Sequence, residues 1–300
     1  MIELSCPVCR AGLLEHSGGW SCRGCAADYP IVEGIGRFLP PDRAAHYEAF
    51  LRDYTTVRMA EGRGHEQPAY FRRLPEPTKG DPLYGQWAMR AKSWSVLERL
   101  LVPVGPPALT VLDVGAGMGW LSNRVAQRFH DAAAVDLTVD AADGLGAARH
   151  FTTEFARFQA EMDVLPFADG CADLVIFNAS LHYSTDLRRT LGEALRVLAP
   201  NGRIVVMDTP IYRRERDGAA MVAERHADFE RRFGTRSDSI ASIGFVTMPQ
   251  LRVVGTALGL RWQQHSIWYG WKWAWRPWRA RVRRRRAPSR FALLVAHRAE

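Results

Sequence analysis

No stretch of this 300-residue chain approaches the ~20 consecutive apolar residues that a bilayer-spanning helix requires. The opening residues also lack the basic start, apolar core and small-residue cleavage site of an export signal. A cytoplasmic protein is expected, at most peripheral at a membrane. Cysteine is scarce. Of the five present, four sit in two C-x-x-C pairs, Cys6-Pro7-Val8-Cys9 and Cys22-Arg23-Gly24-Cys25, which argues against a secreted disulfide scaffold. The fifth, Cys171, stands alone before an apolar run and reads as an ordinary free thiol. Glycine spacing supplies a third absence. The run Val111-Leu112-Asp113-Val114-Gly115-Ala116-Gly117-Met118-Gly119-Trp120 carries G-x-G-x-G and not G-x-G-x-x-G, so the dinucleotide fingerprint is not met.

What is present at that run is an apolar strand, a glycine turn and a helix start. Gly115, Gly117 and Gly119 have no Cβ, so the backbone can turn sharply and approach a ligand closely, and the following helix offers free N–H groups. Asp113, in the strand just before the turn, would repel phosphate. A ligand with a cationic amino-acid end suits the turn better. Downstream, Ala132 to Asp136, Ala172 to Asn178 and Ile204 to Asp208 read as further strands. Strand and helix alternate, which calls for a parallel sheet with crossover helices on both faces and a ligand beyond the carboxyl ends of the strands.

Taken together, residues 109–208 resemble the class I methyltransferases that bind S-adenosylmethionine, especially the type 11 group. The resemblance implies an α/β, Rossmann-like fold with a seven-stranded, mostly parallel sheet whose last two strands form an antiparallel pair. It makes Asp136 the acid that accepts both ribose hydroxyls. It matches Asp163, in Glu161-Met162-Asp163-Val164-Leu165-Pro166-Phe167, to the residue beside the adenine amino group. Asp113, Gly115, Gly117, Gly119 and Asn178 complete the implied cofactor set on one rim. Methyl transfer from a sulfonium can be driven largely by positioning and desolvation. Where the acceptor is a hydroxyl or an acidic carbon a proton must also leave, and His182, just past the fourth strand, is the candidate base. A packed, structural histidine is the alternative, and Tyr183 is a second candidate.

Missing motifs narrow the acceptor. Asn178-Ala179-Ser180-Leu181 is not the Asn/Asp-Pro-Pro-aromatic clamp used on exocyclic amines of nucleobases, and no cysteine stands there to attack a pyrimidine. Methylation of a guanine ring nitrogen stays open.

The two cysteine pairs, separated by a hairpin-sized stretch with Gly18-Gly19, are a zinc signal: Cys6, Cys9, Cys22 and Cys25 fill all four positions of a tetrahedral ion and leave none for activated water, so the zinc is expected to be structural. A redox role would need a βαβ context that is absent here. Asp28 through Pro40 completes a segment that looks like the small Trm112-type zinc modules fused to, or partnering, methyltransferases. A ribbon also precedes the catalytic domain of certain ribosomal-RNA guanine methyltransferases, but those usually show a histidine ligand where this chain has Cys25.

The expected organisation is a ribbon over 1–41, a helical connector and cofactor lid over 42–101, and the methyltransferase domain over 102–300. Pro40-Pro41 ends the ribbon. Tyr47, Phe50, Leu51 and Tyr54, and later Trp87, Ala91, Trp94, Leu97 and Leu101, fall at helical spacing. Arg90 is placed to reach a methionyl carboxylate or to lie on the surface. An insertion over 210–245, helical from Glu215 to Phe233, suits an acceptor lid. Met248 to Leu260 reads as a last crossover helix, with strands over 261–269 and 291–296.

Between those strands the net charge of +8 finds its source: residues 270–290 interleave tryptophans with an arginine block. Trp271, Trp275, Trp278 and Val282 fall at helical spacing, with Pro277 placed to interrupt or start a helix. Such a stripe either packs on the domain, docks on an anionic membrane or a lipid-linked or phosphorylated acceptor, or stacks on RNA. The function expected is S-adenosylmethionine-dependent methylation of a small or lipid-linked metabolite. The alternatives are an RNA methyltransferase of the ribbon-fused kind and a non-catalytic scaffold.

Overall fold

Val111–Val114, Ala132–Val135 and Val175–Phe177 are buried to the last residue, as parallel strands covered on both faces must be. The computed structural model describes residues 2–299. The ribbon contributes β1 (Leu13–His16), β2 (Gly19–Cys22), β3 (Asp28–Val32) and β4 (Ile35–Arg37), and the connector α1 (Pro41–Ala60), α2 (Pro68–Arg73) and α3 (Tyr84–Leu101). Then come β5 (Thr110–Val114), α4 (Trp120–Ala126), β6 (Asp131–Asp136), β7 (Ala156–Gln159), β8 (Ala172–Asn178), α5 (Leu187–Val197) and β9 (Leu198–Met207). The insertion holds β10 (Ile211–Tyr212), α6 (Glu215–Phe233) and β11 (Val246–Thr247). The chain closes with α7 (Met248–Ala257), β12 (Leu260–Ser266), α8 (Trp271–Ala274), α9 (Arg276–Val282) and β13 (Ala292–Arg298).

The expected seven strands run in the order β7-β6-β5-β8-β9-β13-β12. The first five are parallel, and β13 lies antiparallel between β9 and β12. The ribbon does not stand apart from this sheet. β4 pairs parallel with β7 through Gly36↔Phe158 and Arg37↔Gln159, making one sheet of eleven strands. That pairing covers the edge β7 would otherwise present. It requires glycine at position 36, since a Cβ there would meet the Trp20, Phe38 and Phe158 rings at 2.9–3.0 Å. Tyr29 and Phe38 of the ribbon share a core with Leu165 and Phe167.

Crossover helices are fewer than the alternation predicts. β6 joins β7 through a 3₁₀ turn over Leu145–His150, and no helix lies between β7 and β8 among the described residues. The ribbon's leader satisfies that loop instead: the Ser5 N–H donates to Pro166 O at 3.1 Å, the Ser5 hydroxyl to Phe167 O at 2.8 Å, and the Ala168 N–H to Glu3 O at 3.0 Å. Backbone groups without a helix thus find partners in a neighbouring segment.

Pro41 opens α1 at a position where its missing N–H costs nothing. α3 buries Trp87, Trp94, Leu97 and Leu101, and full burial of each such side chain contributes about 1.5–3 kcal/mol. α2 and the small parallel pair β10–β11 are elements without a sequence-level signal. The arm after β12 departs from a packed stripe: Trp271, Trp275, Trp278 and Val282 are all exposed.

Candidate functional site

Gly115, Gly117 and Gly119 all adopt positive φ, at 75°, 56° and 80°, which permits the turn between β5 and α4. The Gly115 and Ala116 N–H groups donate to Val135 O, at 2.8 and 3.0 Å, and tie the turn to the end of β6. The next N–H, of Gly117, donates to Asp136 Oδ2 at 2.7 Å. Asp136 Oδ1 accepts from the Thr138 N–H at 2.8 Å and its hydroxyl at 2.7 Å. Burial pushes the Asp136 carboxyl above the usual range, and the Thr138 and Gly117 donors work against that rise. Oδ2, with a single donor, keeps lone-pair capacity for a further one.

This turn floors a cleft, open to solvent, at the carboxyl ends of β5, β6 and β8. Gly115, Gly117, Asp136 and Asn178 all line it. The Asn178 amide oxygen is buried without a hydrogen-bond partner among the described residues, so a polar acceptor faces no donor of the protein. Tyr54 and Arg58 of α1 and Arg90 of α3 close the cleft from above, with Tyr183 beside Asn178. α1 is held in place by an ion pair from Arg58 Nε to Asp143 Oδ2 and by Arg43 on Glu161. Arg90 rests its guanidinium 4.8 Å from the Trp87 ring centroid and makes no hydrogen bond or ion pair among the described residues. Burial lowers its pKa to about 10, which leaves it cationic at neutral pH.

Four expected residues are not on the cleft wall. Asp113 lies under the turn, its Oδ2 accepting from the Ser122 hydroxyl at 2.9 Å and its Oδ1 unpartnered; burial drives its pKa up to about 7. Gly119 caps α4, where a Cβ would meet the Phe155 ring at 2.8 Å. Asp163 is engaged by Arg189 Nε at 2.9 Å. Met162 and Asp163 form a turn closed by the Glu161↔Val164 bridge; Ala160 and Met162 face the cleft, and Glu161 and Asp163 are taken by Arg43 and Arg189. Met162 therefore occupies the wall that the sequence assigns to its neighbour. His182 is buried, with Nδ1 unpartnered. Burial, then the Arg225 and Arg90 charges, push its pKa down to about 3, far from the range that suits a general base near neutral pH.

The thiols of Cys6, Cys9, Cys22 and Cys25 converge, with all four Sγ atoms within 4.8 Å of one another. The Cys9–Cys22 and Cys6–Cys25 separations are 3.3 and 3.6 Å, near the ~3.8 Å edge of a tetrahedron of thiolates about an ion. The Gly24 and Cys25 N–H groups donate to Cys22 Sγ at 3.3 and 3.4 Å, and the Tyr29 hydroxyl lies 3.0 Å from Cys6 Sγ. Such outer contacts support thiolates around a metal.

Residues 112–206 match the model of a family described as a methyltransferase domain. A malonyl-[acyl-carrier protein] O-methyltransferase of Geobacter sulfurreducens is 40% identical over 116 residues, covering 36% of this chain and 42% of that protein. A tRNA 5-carboxymethoxyuridine methyltransferase of Escherichia coli is 31% identical over 118 residues, covering 38% of this chain and 45% of that protein. The match thus spans less than half of each relative. Among solved structures, an S-adenosylmethionine-dependent methyltransferase from Mesorhizobium loti aligns with a TM-score of 0.50 at 20% identity, over 69% of this chain and 98% of that one; at that identity the likeness concerns the fold. Residues 112–206 thus resemble this methyltransferase family in sequence, and the sheet has the fold of the S-adenosylmethionine-dependent methyltransferase it aligns with.

Proposed function

We propose that this chain is an S-adenosylmethionine-dependent methyltransferase, with the cleft over the glycine turn as its cofactor site and a small or lipid-linked metabolite as its acceptor. The observation that carries the reading is the joint lining of one cleft by the glycine turn, Asp136 and Asn178 beneath a lid from α1 and α3. Bound there, the cofactor supplies a methyl group on a sulfonium. Asp136, fixed by Gly117 and Thr138, accepts the ribose hydroxyls. Arg90, which makes no ion pair among the described residues, takes the methionyl carboxylate. Phe50, Tyr54 and Tyr183 exclude water around the sulfonium, where desolvation and alignment favour an in-line displacement. Neutral His182 is a buried structural residue and not a base. Asp113 supports the turn from below, and Asp163 braces α5 through Arg189.

The ribbon would hold zinc on Cys6, Cys9, Cys22 and Cys25 as a structural ion, since four thiolates leave no open position. The three-part organisation, with 42–101 and 210–245 as lids, follows the same reading: the α1 and α3 residues over the cleft support the first of these.

Titration of S-adenosylhomocysteine into the purified protein tests the cofactor site; a folded, metal-loaded sample giving no heat supports a scaffold instead. Incubation of a host extract with methyl-labelled cofactor tests the acceptor. Label in small-molecule or lipid fractions fits the proposal. The relatedness to a tRNA methyltransferase keeps RNA as a second reading, and label in the RNA fraction would establish it.

A further inference from the structure

Between Trp268 and Arg290 the chain carries nine lysines and arginines, five tryptophans and no acidic residue. The arm is held at both ends. At its start Tyr269 puts its hydroxyl 2.9 Å from Ser93 Oγ on α3, and Trp273 packs on Tyr269 and Phe291 with the Arg276 guanidinium 3.8 Å from its ring centroid. At its far end Arg286 donates to Glu224 Oε2 at 2.7 Å and to the Tyr212 hydroxyl at 3.0 Å. The remaining four tryptophan rings turn outward, and Trp268, Trp271, Trp275 and Trp278 are, with Val282, between 53% and 73% exposed. Contiguous exposure of this kind marks an interaction surface. Trp268 meets Trp271, and Trp275 meets Trp278, edge to face. Lys272, Arg279, Arg281, Arg283, Arg284 and Arg285 are exposed around them without an ion pair among the described residues.

We propose that this arm docks the protein on the surface of an anionic phospholipid bilayer, its tryptophans in the headgroup layer and its arginines on lipid phosphates. Tryptophan belongs at that depth because its ring is apolar and its N–H is not, and clustered cations add attraction to anionic lipid. No helix among the described residues is long and apolar enough to cross a bilayer, so the association proposed is peripheral. A second copy of the chain is a poor occupant, because pairing the arm with itself would set one unpaired arginine cluster against another. β12 runs parallel to β9, since both are antiparallel to β13. The arm therefore leaves the sheet at the rim that carries the cleft, and docking would turn that rim toward the membrane.

The test is co-sedimentation with vesicles of phosphatidylcholine alone and of phosphatidylcholine and phosphatidylserine in equal parts, with tryptophan emission recorded alongside. Wild type should prefer the anionic vesicles by tenfold or more, with a blue shift on binding and release by salt. Trp271→Ala, Trp275→Ala and Trp278→Ala together should cost about tenfold or more in partitioning. Arg279→Gln, Arg281→Gln and Arg283→Gln together should cost about a hundredfold on anionic vesicles only. All six side chains are exposed, so the melting temperature and cofactor affinity of both variants should match wild type, which separates this result from the cofactor reading. Failure to bind either vesicle, binding indifferent to both sets of substitutions, or tight binding to single-stranded RNA without vesicle binding would overturn the proposal.

Discussion

The Gly117 N–H and the Asp136 carboxylate meet at 2.7 Å, so the glycine turn after β5 and the acid that ends β6 hold each other in place. Asp136→Ala removes both that tie and the proposed ribose acceptor. Affinity for S-adenosylhomocysteine should fall by about 1–3 kcal/mol, as expected for hydrogen bonds to a charged group. Calorimetry on the variant is the measurement, and wild-type affinity would refute the assignment.

Gly115 faces a harsher constraint than its neighbours. A Cβ there would lie 2.3 Å from Ser180 Cβ, on a backbone at φ 75°, while the Ser180 hydroxyl donates to Val114 O at 2.5 Å. Gly115→Ala should therefore destabilise the fold by roughly 1–3 kcal/mol and weaken cofactor binding. Adding Ser180→Gly removes the clash and leaves the positive-φ strain, so it should restore only part of the loss in thermal unfolding. Complete restoration would show that strain at the turn is negligible.

Local chemistry explains which parts of the site the sequence reveals. The glycine turn, Asp136, Asn178 and the cysteine pairs are short-range patterns; Gly115, Gly117, Asp136 and Asn178 line one cleft, and the four thiols converge. The lid residues Tyr54 and Arg58 come from a helix some eighty residues before Asp136; helical spacing marks Tyr54 on an apolar face of the expected lid, but nothing local to α1 marks Arg58 as facing the cleft. The resemblance sets Asp163 beside the adenine, but Asp163 lies in the turn closed by the Glu161↔Val164 bridge and pairs with Arg189 on α5, a contact its local sequence does not mark. The β4–β7 pairing was equally hidden, because an edge strand three residues long carries little periodicity. The exposed tryptophans have the same spacing a packed stripe would have, so only the fold distinguishes the two.

Asp113 gives the stability a pH dependence of definite sign. Its folded pKa of about 7 lies above the ordinary 3.8, so between those values the folded state keeps a proton that the unfolded chain has released. Stability from this group is intact below the lower value and falls as pH rises through the upper one. Asp136 and Asp208, also raised, act in the same direction. Asp113→Asn keeps an acceptor for Ser122 and removes the titration. In cofactor-free protein it should gain on the order of 2–4 kcal/mol over wild type on going from pH 4 to pH 8. Denaturant unfolding at several pH values measures this; parallel curves would show that the buried carboxyl does not titrate in that window.

The ribbon's place in the sheet sets what metal removal should do. Cys22 Sγ lies 3.3 Å from Cys9 Sγ and accepts two backbone N–H groups, so Cys22→Ser should lose the proposed ion. A detached zinc module would then unfold alone and leave the rest of the sheet unchanged. Here Phe38 and Tyr29 pack with Phe167 and Leu165 in one core, and β4 shields the edge of β7. Loosening the ribbon exposes that edge and opens the loop after Gln159, which holds Ala160 and Met162 against the cleft. The variant and chelator-treated wild type should both melt several degrees lower, at roughly 2–4 °C per kcal/mol for a domain this large, and both should bind the cofactor less well. A full complement of metal in the variant would contradict the four-thiolate site. An unchanged main transition after metal loss would show that the ribbon adds nothing to the sheet it extends.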